Sequence, residues 1–107
     1  MSDNIRELTS ANFTDVVASG VTLVDFWTTW CPPCRRQGPI VEKLADAYAG
    51  RAVVSKLDTD ANGDIAAKLG IENIPTLILF KDGGEMKRLI GLTEADVLSA
   101  ELDKLLT

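Results

Sequence analysis

Val21-Thr22-Leu23-Val24-Asp25-Phe26-Trp27-Thr28-Thr29-Trp30-Cys31-Pro32-Pro33-Cys34 contains both cysteines of the chain. Val21 to Trp27 is β-branched and aromatic on both faces, the composition of a strand covered from two sides. A helical pattern opens at the cysteines, with Ile40, Leu44 and Tyr48 on one line, Val41 and Ala45 beside it, and Glu42, Lys43 and Asp46 facing away. A CxxC pair where a strand gives way to a helix either exchanges a disulfide or ligates a metal. A disulfide placed for stability alone would close a longer loop, because loop length sets most of its entropic effect. Redox chemistry therefore leads. A tetrahedral structural zinc takes four Cys or His ligands, and two cysteines without a histidine leave zinc only to a site shared between chains.

Outward from this stretch the chain reads β-α-β-α-β-α-β-β-α. Ile5 to Leu8 is a weak strand, and Thr9 or Ser10 is placed to cap a short helix through Ala18, which Gly20 ends. After the CxxC helix, closed by Gly50, Ala52 to Leu57 forms a second buried strand. Asp64 is placed to cap a helix through Leu69. Thr76 to Phe80 is a third apolar strand, Asp82-Gly83-Gly84 a hairpin turn, and Glu85 to Ile90 its returning partner. Thr93-Glu94-Ala95-Asp96 resembles a capping box and opens a last helix with Val97, Leu98, Leu102, Leu105 and Leu106 on its apolar face. With right-handed crossovers this order predicts an α/β fold, a mixed central sheet flanked by helices on both faces.

The 107 residues support one domain, 1–107, with no repeat or linker. Apolar residues make up 46% and charged residues 25%, ordinary globular values. Sixteen acidic against eleven basic side chains give a net charge of −5, which argues against nucleic acid as a partner. No apolar run approaches the ~20 residues of a membrane span. Met1 to Glu7 has neither the basic nor the apolar region of a signal peptide. These features predict a cytoplasmic protein, where a lone CxxC is catalytic or metal-binding rather than structural.

Asp25 in the strand, the WCxPC motif at Trp30 to Cys34, Pro39 five residues beyond the second cysteine, Lys56, Ile74-Pro75-Thr76 and Gly91 recur in order and spacing along nearly the whole chain. In these residues the sequence resembles the thioredoxin family. The resemblance implies a thioredoxin fold and a protein-disulfide reductase. It also implies a monomer with no bound cofactor or metal, reduced by a thioredoxin reductase and passing electrons to disulfide-containing client proteins. Two departures stand out. Pro32 occupies a position that is usually Gly in cytosolic members. The run Cys34-Arg35-Arg36 leans toward the CPPC-R pattern of exported, membrane-anchored relatives, which carry an anchor and an insertion not seen here. A thiol reductase dedicated to envelope or cytochrome maturation is thus the second reading, and a non-catalytic binding module the third.

Cys31 is placed as the attacking nucleophile, because a helix N-terminus stabilises the thiolate that attacks a disulfide. Pro32 and Pro33 suit a first helical turn, but neither brings an N–H to the thiolate. Cys34, one turn on, is the resolving thiol. Asp25 is a carboxylate among Val, Leu, Phe and Trp. Burial raises a carboxyl pKa, and the resemblance makes Asp25 the proton carrier for Cys34, with Lys56 on the neighbouring strand as its candidate charge partner. The family keeps the Ile74–Pro75 bond cis against the disulfide. Trp30, Pro32, Pro33, Ile74, Pro75, Ile90, Gly91 and Leu92 are then expected to line an apolar substrate groove, the backbone beside Pro75 pairing with an extended client. Trp27 reads as core, and Pro39 as a kink in its helix.

Overall fold

The computed structural model describes residues 2–107. Nine elements follow the predicted order: β1 (Ile5–Leu8), α1 (Phe13–Val17), β2 (Val21–Trp27), α2 (Pro32–Ala47), β3 (Val53–Asp58), α3 (Gly63–Lys68), β4 (Thr76–Lys81), β5 (Gly84–Ile90) and α4 (Ala95–Leu106). The five strands form one sheet in the order β1-β3-β2-β4-β5. β1, β3 and β2 run parallel, and β4 and β5 add two antiparallel ladders. β2 is central, which explains why its residues are apolar on both faces.

The pleat divides those residues between two cores. Val21 and Leu23 pack with Val41, Leu44, Ala45 and Tyr48 of α2 and with Leu98 and Leu102 of α4. Val24 and Phe26 pack on the opposite face with Phe13 and Val17 of α1 and Ile65 of α3. Asp25 alternates onto the α2/α4 face, beneath the start of α2. Helices therefore cover both faces, as the sequence predicts.

The element ends differ from expectation where side chains found other partners. α1 begins at Phe13 rather than after Thr9 or Ser10. Asn12 turns its Oδ1 back to accept the Thr9 N–H at 2.7 Å, and the Ser10 hydroxyl instead bonds Asn62 and Asp64. Asp64 thus lies in the first turn of α3, and Asn62 holds the cap position. The capping box before α4 does not form. The Thr93 N–H and hydroxyl are taken by Gln37 and the Gly91 carbonyl, and Glu94, which holds the N-cap position, makes no capping bond through its side chain. Val97 is exposed rather than part of the apolar face. In the β4–β5 hairpin both Asp82 (φ 49°) and Gly83 (φ 89°) are left-handed, the conformation a tight hairpin of matched twist requires. α2 runs unbroken through Pro39.

Candidate active site

β2 ends at Trp27, and the chain reverses through Thr28 to Trp30. The buried Thr28 hydroxyl secures this turn by accepting the Trp30 N–H at 3.0 Å. Cys31 is the N-cap of α2 in extended conformation, with the two prolines at the first helical positions. Proline fits there because first-turn amides lack intrahelical partners anyway. The Cys34 amide does find a partner: it donates to Cys31 Sγ at 3.1 Å. A sulfur at an N-cap that accepts a first-turn amide is in an environment that stabilises negative charge.

Cys31 and Cys34 are joined as a disulfide, their Cα atoms 5.2 Å apart. Both residues are buried, whereas Trp30 beside them is 84% exposed, and Pro32 and Pro33 are exposed as well. An exposed indole thus stands beside a shielded disulfide.

A cleft of about 340 Å³ opens behind Cys34, lined by Asp25, Trp27, Thr28 and Lys56 among others. Asp25 is only 3% exposed, and its Oδ1 has no hydrogen-bond partner. Burial pushes the Asp25 carboxyl from the usual acidic range up to about 7, and the Lys56 charge pulls partly back. Lys56 is the register partner of Asp25 across β2 and β3. It makes no ion pair with Asp25 among the described residues; its ammonium lies 5.3 Å from the centre of the Trp27 ring. Trp27 is accordingly half-buried and lines the cleft, rather than being core alone.

The Ile74–Pro75 bond is cis. Pro75 is buried and Ile74 half-buried. The ladder pairs Thr76 with Ile90, and the Gly91 N–H donates to the Pro75 carbonyl at 2.8 Å. These bonds bring Ile74 and Pro75 beside Ile90 and Gly91. Ile90 is 65% exposed, and Gly91 and Leu92 are half-buried.

Sequence reasoning passed over Gln37 and gave Thr93 only a capping role. Gln37 is wholly buried and exchanges two hydrogen bonds with the Thr93 backbone. Its signal was the spacing: Cys34, Gln37, Val41 and Leu44 fall three or four residues apart on one helix face.

Among known proteins, residues 4–104 match the Thioredoxin family model. Thioredoxin of Staphylococcus haemolyticus is 46% identical over 100 residues, covering 94% of this chain and 96% of that relative. Thioredoxin of Staphylococcus aureus is 47% identical over the same length and coverage. Of solved structures, a mutant thioredoxin from Halobacterium salinarum NRC-1 superposes with a TM-score of 0.89 at 32% identity, covering 100% of this chain and 96% of that one. Thioredoxin of Malassezia sympodialis gives 0.85 at 32% identity, covering 96% and 91%. Sequence match and fold agree around a dithiol pair at a helix N-terminus, and the chain belongs to the thioredoxin family of thiol–disulfide oxidoreductases.

Proposed function

We propose that the protein reduces disulfides of client proteins as a cytoplasmic monomer, drawing its electrons from a thioredoxin reductase, in one domain spanning 1–107. The observation that carries this reading is the unpartnered Asp25 carboxyl lining the same cleft as Cys34. A scaffold that only docks partners has no use for a buried carboxyl titrating near neutrality.

In the reduced protein the Cys31 thiolate attacks one sulfur of the client disulfide. That bond breaks, a Cys31–client mixed disulfide forms, and the second client sulfur leaves as a thiolate and takes up a proton. Asp25 accepts the Cys34 proton across the cleft; a base with a pKa near the working pH serves this best. The Cys34 thiolate attacks Cys31 Sγ, releasing the first client sulfur and closing the Cys31–Cys34 disulfide. Two electrons have passed to the client. Lys56 tunes Asp25 through its charge. Trp30, Pro32, Pro33, Ile74, Pro75, Ile90, Gly91 and Leu92 form the client-binding surface. No hydrogen bond within the described residues engages the Ile74 backbone, so an extended client strand is free to pair there.

The test is insulin disulfide reduction with NADPH and a thioredoxin reductase, comparing wild type with Cys31→Ser. Turnover present in wild type and lost in the variant supports the reading. Turnover with dithiothreitol but not with the reductase moves the electron supply to a dedicated donor, and no turnover with either overturns it.

A further inference from the structure

Gln37 is a polar side chain where α2 otherwise presents Val41, Leu44 and Ala45 to the core. It is 0% exposed, and an amide without partners there would cost about 1–3 kcal/mol. Both of its polar atoms are satisfied, and by a single residue. Oε1 accepts the Thr93 N–H at 2.8 Å, and Nε2 donates to the Thr93 carbonyl at 2.9 Å. The side chain therefore pairs with a peptide backbone as one strand pairs with another.

The bonds continue in both directions. Gln37 lies one helical turn beyond Cys34 on the same face of α2, so its position follows the dithiol. Thr93 bonds the Gly91 carbonyl through its own hydroxyl at 3.0 Å, and the Gly91 N–H donates to the Pro75 carbonyl at 2.8 Å. A continuous path thus runs from the dithiol helix through Gln37, Thr93 and Gly91 to the cis-proline turn. The segment it crosses, 91–94, belongs to no helix or strand, and β5 before it is largely exposed. The hydrophobic effect by itself is non-directional and fixes no register for a segment with so little buried surface; a bidentate pair to one peptide does.

We infer that Gln37 is a positioning residue for client binding, holding the 91–93 wall of the groove at a fixed distance from the Cys31–Cys34 dithiol. It touches neither client nor sulfur. This rests on the proposed reduction of protein disulfides: a large client must meet the groove wall and the sulfur at once, whereas a small disulfide needs only the sulfur. Loss of Gln37 therefore separates the two kinds of substrate.

The experiment uses pre-reduced full-length protein in stopped flow, without a reductase, following the change in tryptophan fluorescence on oxidation. Second-order rate constants are taken with insulin and with 5,5′-dithiobis-(2-nitrobenzoic acid). Gln37→Leu removes both hydrogen bonds at similar volume, and Gln37→Met, an unbranched chain of equal length, is measured alongside so that a folding failure of one leaves the other. The expected result is a roughly tenfold loss with insulin and a rate within about twofold of wild type with the small disulfide, together with faster hydrogen exchange at the Thr93 amide. Rates that fall together for both substrates reveal a merely structural role and overturn the inference, as do two unchanged rates. A wild-type protein that reduces the small disulfide but not insulin would instead overturn the proposed function, so the two failures are distinct.

Discussion

Asp25 and Lys56 stand opposite each other in register on adjacent parallel strands, yet they form no ion pair. The Lys56 ammonium lies 5.3 Å from the centre of the Trp27 ring instead. Its charge reaches Asp25 only from beyond contact distance. The carboxyl is thus left with a burial cost that exceeds the nearby attraction, and its pKa rises to about 7. A direct, hydrogen-bonded pair would have favoured the ionised form and removed a proton acceptor matched to neutral pH.

Asp25→Asn will stabilise the protein increasingly as pH rises. In the unfolded chain Asp25 ionises near pH 4, and in the folded protein near 7. Below about pH 4 the residue is protonated in both states and contributes no pH dependence. Between these values the folded state holds a proton that the unfolded state has lost, so wild-type stability falls as pH rises. Above 7 the full cost of a buried carboxylate is present, on the order of 4 kcal/mol for a pKa raised from about 4 to about 7. Thermal unfolding of the oxidised protein from pH 4 to pH 8 measures this, and a constant difference between variant and wild type refutes it.

Lys56→Met removes the charge that opposes burial, so the Asp25 pKa will move above 7. Carbon-detected NMR titration of the Asp25 carboxyl reads the shift directly. The acid limb of the pH–rate profile for client reduction will move in the same alkaline direction. A carboxyl titrating at the wild-type pH shows that Lys56 does not act on Asp25.

Pro32→Gly will lower the pKa of the Cys31 thiol in the reduced protein. Pro32 and Pro33 carry no N–H, and the one first-turn amide bonded to Cys31 Sγ is that of Cys34. Glycine adds a second possible donor near the thiolate, and hydrogen bonding to the charged form favours it. Thiolate absorbance against pH measures it; an equal or higher pKa in the variant rules the explanation out.

Thr22→Val will raise the melting temperature. Thr22 is wholly buried in β2, and its hydroxyl has no hydrogen-bond partner. Valine keeps the branched shape without the orphaned polar atom, for a gain of about 1 kcal/mol, or roughly 4 °C in a domain of this size. Calorimetry of the two proteins decides, and a lower melting temperature would show that the hydroxyl is satisfied in solution.

The order of all nine elements was legible because each buried strand and helix carries its own period: both faces apolar in β2 and β4, one line of apolar residues in α2. The ends of elements were less legible. Thr9, Ser10, Asp64 and Thr93 all read as caps, but their side chains bond elsewhere: Thr9 with Ala11 and Asn12, Thr93 with the Gly91 carbonyl, and Ser10 with Asp64. Ser10 meets Asn62 and Asp64 across more than fifty residues, a partnership no local pattern reveals. Val97 reads as core by helical spacing, yet it is exposed while Leu98 beside it is wholly buried.

By itself the sequence determined the chemistry of the site. Two cysteines at CxxC spacing with no histidine, prolines suited to a first helical turn, and a carboxylate inside an apolar strand are local facts, and their consequences follow from local electrostatics and backbone geometry. Only the tertiary structure decided how those groups act on one another. It placed Lys56 over Trp27 rather than on Asp25, opened the cleft that Asp25 and Cys34 share, and tied Gln37 to Thr93. Each of these depends on the register between strands and on the seating of a helix over a sheet, which are set by packing across the whole core and not by neighbours along the chain.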